Sequence, residues 1–278
     1  MKLVFFIPAK SIMATHPSQL SALKLLRQDT KEFDLSLDPA KTLAAMDERY
    51  SVSSSRVALT ALRKTYPTHP VFIAEMKKRY TTFKKIDTCQ QPTQKQVEKF
   101  VSWDNILEFR DKYYDVMTPL QRILIALYTY IPPVRLDFTP MKIVSRKPRK
   151  LEDGMNYYVR NGSPYFLMHA FKTHAALGDR VIKVPAKLKA EIEQFLTPGQ
   201  QYLLETDGKP WTENCLGQAV RRMFKQHHNM NTGVSMLRHA YATKFHAGQL
   251  PLADIQKTAS AMLHGPLQSM TYRFISLE

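Results

Sequence analysis

The chain has 278 residues, 44% of them hydrophobic, and its 40 basic against 24 acidic side chains give a formal charge of +16. That length supports one or two domains with real cores, and no stretch approaches the roughly 20 apolar residues that span a bilayer, which argues against a membrane protein. So large a cationic excess points to a polyanionic partner, with nucleic acid ahead of an anionic membrane surface.

The start, Met1-Lys2-Leu3-Val4-Phe5-Phe6-Ile7-Pro8, has an apolar run shorter than the roughly 7–15 residues of a signal peptide. It is expected to form a short strand or a flexible start. The first third is patterned for helices. Leu20, Leu23 and Leu26 share a face after Pro17, and Val57, Leu59 and Leu62 share another behind a Ser53-Ser54-Ser55 cap. Val71, Ile73, Met76, Tyr80 and Phe83 mark a third helix, with Pro70 at its start. Its polar positions carry Lys77, Lys78, Arg79, Lys84 and Lys85, suited to run along a phosphate backbone. Periodicity fades over residues 86–93 with Gln90, Gln91 and Pro92, as expected of a linker.

From Lys95 the helical pattern resumes. Thr118-Pro119 caps a helix with Leu120, Ile123, Leu124 and Leu127 on one face, and Pro132-Pro133 ends it just before Arg135. Residues 141–144, 157–160, 165–169 and 181–184 are β-prone, with Asn161-Gly162 a strong hairpin signal. The Asn161-Gly162-Ser163 glycosylation pattern is better explained as that turn. Helices return around Leu188, Ile192 and Phe195, behind Thr212, near Ser235 as far as Gly248, and from Leu252. Two further basic clusters, Arg146-Lys147 with Arg149-Lys150 and Arg221-Arg222, widen the expected footprint. Residues 146–150 suit either an exposed DNA-contacting loop or a nuclear signal. Cys89 and Cys215 lack metal or redox spacing, which suggests an intracellular protein.

The expected architecture is mainly α with a small antiparallel β-sheet. Residues 1–88 form a helical N-terminal DNA-binding domain, 89–94 a linker and 95–278 a catalytic domain.

The chemistry concentrates near the end of the chain, in Arg238-His239-Ala240-Tyr241-Ala242-Thr243, His264-Gly265 and Tyr272, with Arg135 and Lys172 upstream. Breaking a phosphodiester without metal needs an in-line nucleophile, cations on the non-bridging oxygens and an acid for the leaving oxygen. Tyrosine serves as nucleophile once neighbouring cations assist its deprotonation. Arginine offers two parallel hydrogen bonds from a permanent charge, and a lysine on a hairpin can protonate the leaving oxygen. Arg135, Lys172, Arg238, His264 and Tyr272 therefore make a complete set, with no metal and no cofactor. His239 suits a supporting hydrogen bond, and Tyr241 suits packing.

These segments resemble the tyrosine recombinases, the phage-integrase family of DNA breaking-and-rejoining enzymes. Met236-Leu237-Arg238-His239-Ala240-Tyr241-Ala242-Thr243 is close to the family's Leu-Arg-His helix, and Leu263-His264-Gly265 followed by Tyr272 is similar to its Leu-Gly-His-to-Tyr segment. Pro132-Pro133-Val134-Arg135-Leu136-Asp137 resembles the first-arginine motif as written in recombinases of large eukaryotic DNA viruses and their satellite viruses. Phe171-Lys172-Thr173 before Val181-Ile182-Lys183-Val184-Pro185 matches the hairpin lysine and the strand after it. The resemblance covers residues 95–278; the first third fits a core-binding domain only by position and class.

The resemblance implies a clamp on double-stranded DNA, a 3′-phosphotyrosyl intermediate, assembly into a tetramer on DNA, and no metal or ATP. Three departures stand out. Ser235 replaces the histidine of the family's His-x-x-Arg, either as an uncharged phosphate donor or as an ordinary N-cap. Leu263 replaces the glycine before the second histidine, and the spacing from His264 to Tyr272 is one residue short. Few residues follow Tyr272, which leaves the mode of assembly open. The implied function is a site-specific recombinase or integrase. The alternatives are a type IB topoisomerase-like activity, or a recombinase relic that binds DNA without turnover.

Overall fold

A computed structural model describes residues 38–88, 90–228, 230–248 and 250–277; the expected start of the chain and the Leu20–Leu26 helix lie outside them. The chain divides into two compact units, Met1–Cys89 and Gln90–Glu278.

In the first unit, α1 (Pro39–Arg49), α2 (Val52–Thr65) and α3 (Pro70–Thr88) enclose a small core of Met46, Ala58, Leu59, Leu62, Phe72 and Phe83. Each of the larger side chains contributes roughly 1.5–3 kcal/mol on burial. The cap of α2 is Ser51, whose Oγ accepts from the Ser54 backbone N–H, so the expected Ser53–Ser55 cap lies inside the helix. Ser55 is buried there, and its hydroxyl donates to the Met46 carbonyl at 3.5 Å. Arg79 is committed within the unit: Nη1 and Nη2 donate to the two Asp47 oxygens at 2.5 and 2.7 Å, and Nε to Glu75 at 2.5 Å. Lys77 and Lys78 are exposed on the same helix, Lys78 3.9 Å from Glu75.

In the second unit a single-turn α4 (Gln94–Val97) is followed by α5 (Trp103–Tyr113) and α6 (Pro119–Thr129). The Thr118 cap expected from sequence is a full capping box, with Thr118 Oγ1 accepting from Gln121 N–H and the Gln121 side chain accepting from Thr118 N–H. Ile123 to Tyr128 are all buried, which makes α6 the central helix of the main core.

The sheet runs β1 (Met141–Val144), β2 (Asn156–Val159), β3 (Tyr165–Met168), β4 (Arg180–Lys183), in that spatial order. It is mixed, not antiparallel: β1 and β2 pair parallel from Met141↔Asn156 to Val144↔Val159, while β2–β3 and β3–β4 are antiparallel. The basic loop 145–155 is the reason. A parallel neighbour needs a long crossover rather than a tight turn, and this loop supplies one, whereas the Asn161-Gly162 turn (Gly162 φ +75°) makes the expected hairpin.

A short helix, α7 (His174–Leu177), lies between β3 and β4 where only a turn was expected. Then follow α8 (Ala186–Phe195), the two-residue strands β5 (Glu205–Thr206) and β6 (Lys209–Pro210), α9 (Glu213–His228), α10 (Val234–Phe245), α11 (Leu252–Ala261) and α12 (Pro266–Met270). No helix of the described residues is long and apolar enough to cross a membrane.

Candidate active site

Arg238 is the centre of the site. It sits on α10, which carries buried Leu237 and Ala240 on either side of it, and its own side chain is only 1% exposed. Nη1 donates to the Pro133 carbonyl at 3.3 Å and Nη2 to the Met262 carbonyl at 3.5 Å and to the ring of His264. Because a guanidinium can only donate, the imidazole accepts and is neutral. Burial, followed by the charges of Arg238, Arg135 and Lys172, pushes the His264 pKa down to about 2.

His264 reaches this position through the end of α11. Leu263 N–H donates to Ser260 O at 3.1 Å and His264 N–H to Ala259 O at 2.8 Å, the paired bonds of a Schellman motif. That motif needs a left-handed residue, and Leu263 takes it at φ +57° while fully buried. Glycine is the residue such a backbone favours. Relief of the left-handed strain in Leu263→Gly is worth about 1–2 kcal/mol, while loss of a buried leucine costs about 3–5 kcal/mol. The variant is therefore expected to unfold at lower urea, with about 2 kcal/mol less stability. An unchanged midpoint would mean that the strain equals the packing, and a raised one that it outweighs it.

Arg135 lies beyond the Pro132-Pro133 break. Its backbone is held by Asp137 Oδ2, which accepts from Arg135 N–H at 2.9 Å, and by the buried Tyr128 hydroxyl, which donates to Arg135 O at 2.8 Å. Asp137 is the counter-charge that sequence reasoning missed. Burial raises its pKa, and Arg238 followed by the Arg135 contacts opposes that rise. Two guanidinium nitrogens, Arg135 Nη1 and Arg238 Nε, are buried without any hydrogen-bond acceptor among the described residues. A buried donor left unpaired costs about 1–3 kcal/mol, so the pocket is built short of anionic oxygen.

Lys172 is exposed on the turn before α7. The next residue ties that turn to the site: Thr173 Oγ1 donates to the Leu263 carbonyl at 2.8 Å.

Tyr272 is half-buried, with its ring centroid 5.0 Å from the Arg238 guanidinium carbon and 4.9 Å from the His264 ring. His239 sets its backbone. The Nδ1–H donates to the Tyr272 carbonyl at 2.8 Å, and the imidazole stacks on Phe274 at 4.2 Å. Phe274 is buried and its N–H donates to Thr243 Oγ1 at 2.9 Å, so α10 holds the chain at the tyrosine carbonyl and two residues beyond it. Gln90 adds a third tie, donating from Nε2 to Met270 O and accepting from Ile275 N–H. The residues expected as linker thus meet the tyrosine segment at Gln90. Tyr241 packs edge-on against Trp103 at 5.0 Å.

Ser235 is exposed one turn before Arg238 on α10, and the helix N-cap is Gly233, so the capping explanation for Ser235 falls away. Arg146, Lys147, Arg149 and Lys150 are exposed on the β1–β2 crossover, and Arg221 and Arg222 on α9. Lys84 is exposed on α3, which also carries Lys85. In the first unit a groove lined by Arg56, Arg63, Lys64, Tyr80, Phe83 and Lys84 is a second basic surface, to which α2 contributes Arg56 and the Arg63-Lys64 pair.

The two site histidines predict a pH dependence of stability. Burial lowers the His239 pKa to about 4 and, with the site cations, that of His264 to about 2. Both start from about 6.5 in the unfolded chain. Their contribution is fully present above pH 6.5 and is lost as pH falls toward and through the folded values, because the unfolded chain takes up protons the folded chain refuses. His239 alone accounts for about 3 kcal/mol between pH 7 and pH 4. Urea unfolding at pH 7 and 5 is expected to show this loss and His239→Gln to reduce it; equal pH dependence in the variant would contradict the assignment.

No family model matches the chain, and no curated protein matches it. Among solved structures, the chain is similar to a XerA recombinase at 13% identity and TM-score 0.43, over 95% of this chain and 87% of that one. It is also similar to the XerH site-specific recombinase bound to its difH substrate in a pre-cleavage complex, at 17% identity and TM-score 0.49, over 87% of this chain and 67% of that one. The XerH post-cleavage complex on palindromic difH gives the same identity and TM-score, with 69% of that chain covered.

Proposed function

We propose that this chain is a site-specific DNA recombinase of the tyrosine type, acting on double-stranded DNA through a 3′-phosphotyrosyl intermediate. The observation that carries the reading is the pair of buried, acceptor-less guanidinium nitrogens on Arg135 and Arg238, whose charges both act on His264, with Arg238 beside the Tyr272 ring. A phosphodiester has the two non-bridging oxygens these donors lack, and a planar fork is the donor that matches them.

In the proposed step the Tyr272 hydroxyl gives its proton to water, with the adjacent Arg238 charge favouring the phenolate; the Tyr272 oxygen then forms a bond to phosphorus and the P–O5′ bond breaks. The charge that builds on the non-bridging oxygens falls on Arg135 and Arg238, each worth roughly 3 kcal/mol in the transition state. Lys172 gives a proton to the departing 5′ oxygen, and that hydroxyl later attacks the phosphotyrosine to reseal a strand. The bond energy is conserved, so no nucleotide is consumed. Ser235, exposed one turn from Arg238, serves as a neutral donor to the same phosphate. The exposed cations on α3, α9 and the β1–β2 crossover supply sequence-independent backbone contacts. Arg79, already paired to Asp47 and Glu75, is not among them. Recombination between two duplexes further requires self-association on DNA, to a tetramer.

The test is a suicide-substrate assay. Nicked duplexes drawn from a sequence library are incubated with the protein, both with and without chelator, denatured and run on a gel. A covalent protein–DNA band is expected. Tight, salt-sensitive binding to library members with no band from any of them would reject the enzyme in favour of a DNA-binding relic.

A further inference from the structure

The connection that carries Lys172 is closed by three side chains with no part in the chemistry above. His169 leaves the end of β3, His174 opens α7 and Asp179 immediately precedes β4. His169 Nδ1 and His174 Nε2 both donate to the same oxygen, Asp179 Oδ1, at 2.7 and 2.9 Å. The three ligand atoms lie within 4.8 Å of one another, and the side chains are 22%, 34% and 37% exposed, open to an ion from solvent.

We propose that His169, His174 and Asp179 form a divalent transition-metal site, of the Zn2+ class, that staples the turn bearing Lys172. Two imidazoles and one carboxylate are a donor set that zinc accepts, with a fourth position left for water. At zinc–ligand distances of about 2.0–2.1 Å, tetrahedral geometry sets neighbouring ligand atoms about 3.3 Å apart. The two nitrogen–oxygen distances need open by only about half an ångström, within the reach of partly exposed side chains. One ligand is already held from outside the cluster: the backbone N–H groups of His169 and Ala170 both donate to Asn156 Oδ1, at 2.8 and 2.7 Å, and Asn156 is buried. These bonds fix the backbone from which the His169 ring projects. The nitrogen and carboxylate donors and the modest enclosure favour Zn2+ over Mg2+ or Ca2+, which prefer all-oxygen shells.

The ligands bracket residues 170–178, so an ion there would fix both ends of the segment that holds Lys172 out toward solvent. The consequence for Lys172 rests on the recombinase reading; metal binding does not, and the test is run without DNA.

The experiment uses the full chain, stripped with chelator. Zn2+ is titrated against a chromophoric competitor, Co2+ is bound as a visible reporter, and hydrogen exchange is followed over residues 169–179 with and without Zn2+. The expected result is one Zn2+ per chain, a low-symmetry Co2+ absorption band, and slower exchange in that segment. His174→Ala and Asp179→Asn are each expected to weaken Zn2+ at least tenfold and to erase the band. Circular dichroism melting of each variant shows that it is folded. No stoichiometric binding by the parent protein, or binding equally tight in both folded variants, would overturn the site and leave the His–Asp–His group as a hydrogen-bonded clasp.

Discussion

Tyr272→Phe is expected to remove the covalent protein–DNA band altogether, a loss on the order of 10⁴-fold or more, as for other enzymes deprived of their nucleophile. Binding to the same duplex should stay within about twofold, since phosphate contacts to lysines and arginines dominate affinity. The fold holds the tyrosine by its backbone, so the substitution removes only the contact of its phenolic oxygen with the Arg238 side chain. The His239 bond reaches the Tyr272 carbonyl and the Thr243 bond reaches Phe274 N–H, so neither touches the phenolic oxygen. Phenylalanine also keeps the ring packed against Arg238 and the two imidazoles. Persistence of the band in this variant would sink the mechanism. Tyr241 is a poor substitute nucleophile, because it is half-buried against Trp103 and its hydroxyl pKa is raised by burial.

Much of this site is legible in the chain because helix and turn chemistry are local. Thr118-Pro119 announces α6, and Asn161-Gly162 announces the hairpin, through backbone preferences that neighbours a few residues away satisfy. The order Arg135, Lys172, Arg238, His264, Tyr272 is also visible, and the structure gathers four of these side chains, with the Lys172 turn tied to Leu263.

What the chain hides is long-range. That β1 pairs parallel with β2 depends on how the 145–155 crossover returns, and no residue inside either strand encodes it. Arg79 sits in a run of cations yet faces Asp47, thirty-two positions away, which no reading of one helix would find. Asp137 stood in plain view two residues after Arg135, but its role as counter-charge to Arg238 exists only once α10 packs beside the Pro133 turn. Likewise, Leu263 registers in sequence as a departure from glycine, and only the φ of +57° shows that the backbone demand for glycine persists while packing overrides it.

Arg238→Met is the substitution that tells a ligand-binding arginine from a structural one. Burial is the largest influence on the Arg238 pKa and pushes it down, with the Arg135 charge acting in the same direction; the Tyr272 contact and Asp137 oppose them. The folded protein therefore holds this cation against a desolvation cost that an apolar side chain of similar length does not incur, although removing one charge of a buried pair costs about 3–5 kcal/mol where its partner stays ionised. Two carbonyls lose donors, but at 3.3 and 3.5 Å these are long bonds, and Asp137, already raised toward protonation by burial, can take up a proton. Stability is expected to stay within about 2 kcal/mol of the parent, while DNA cleavage falls by about 10²–10³-fold from loss of the oxyanion donor. Arg238→Lys should recover charge without the fork and only part of the rate. Urea unfolding and single-turnover cleavage on one preparation of each variant separate the two effects. Unfolding by 4 kcal/mol or more in Arg238→Met would mean that the arginine is there to hold Pro133 and Met262 together. A stable, inactive variant would mean that the fold bears a desolvated cation, and an unpaired Nε, for the sake of the anion it binds.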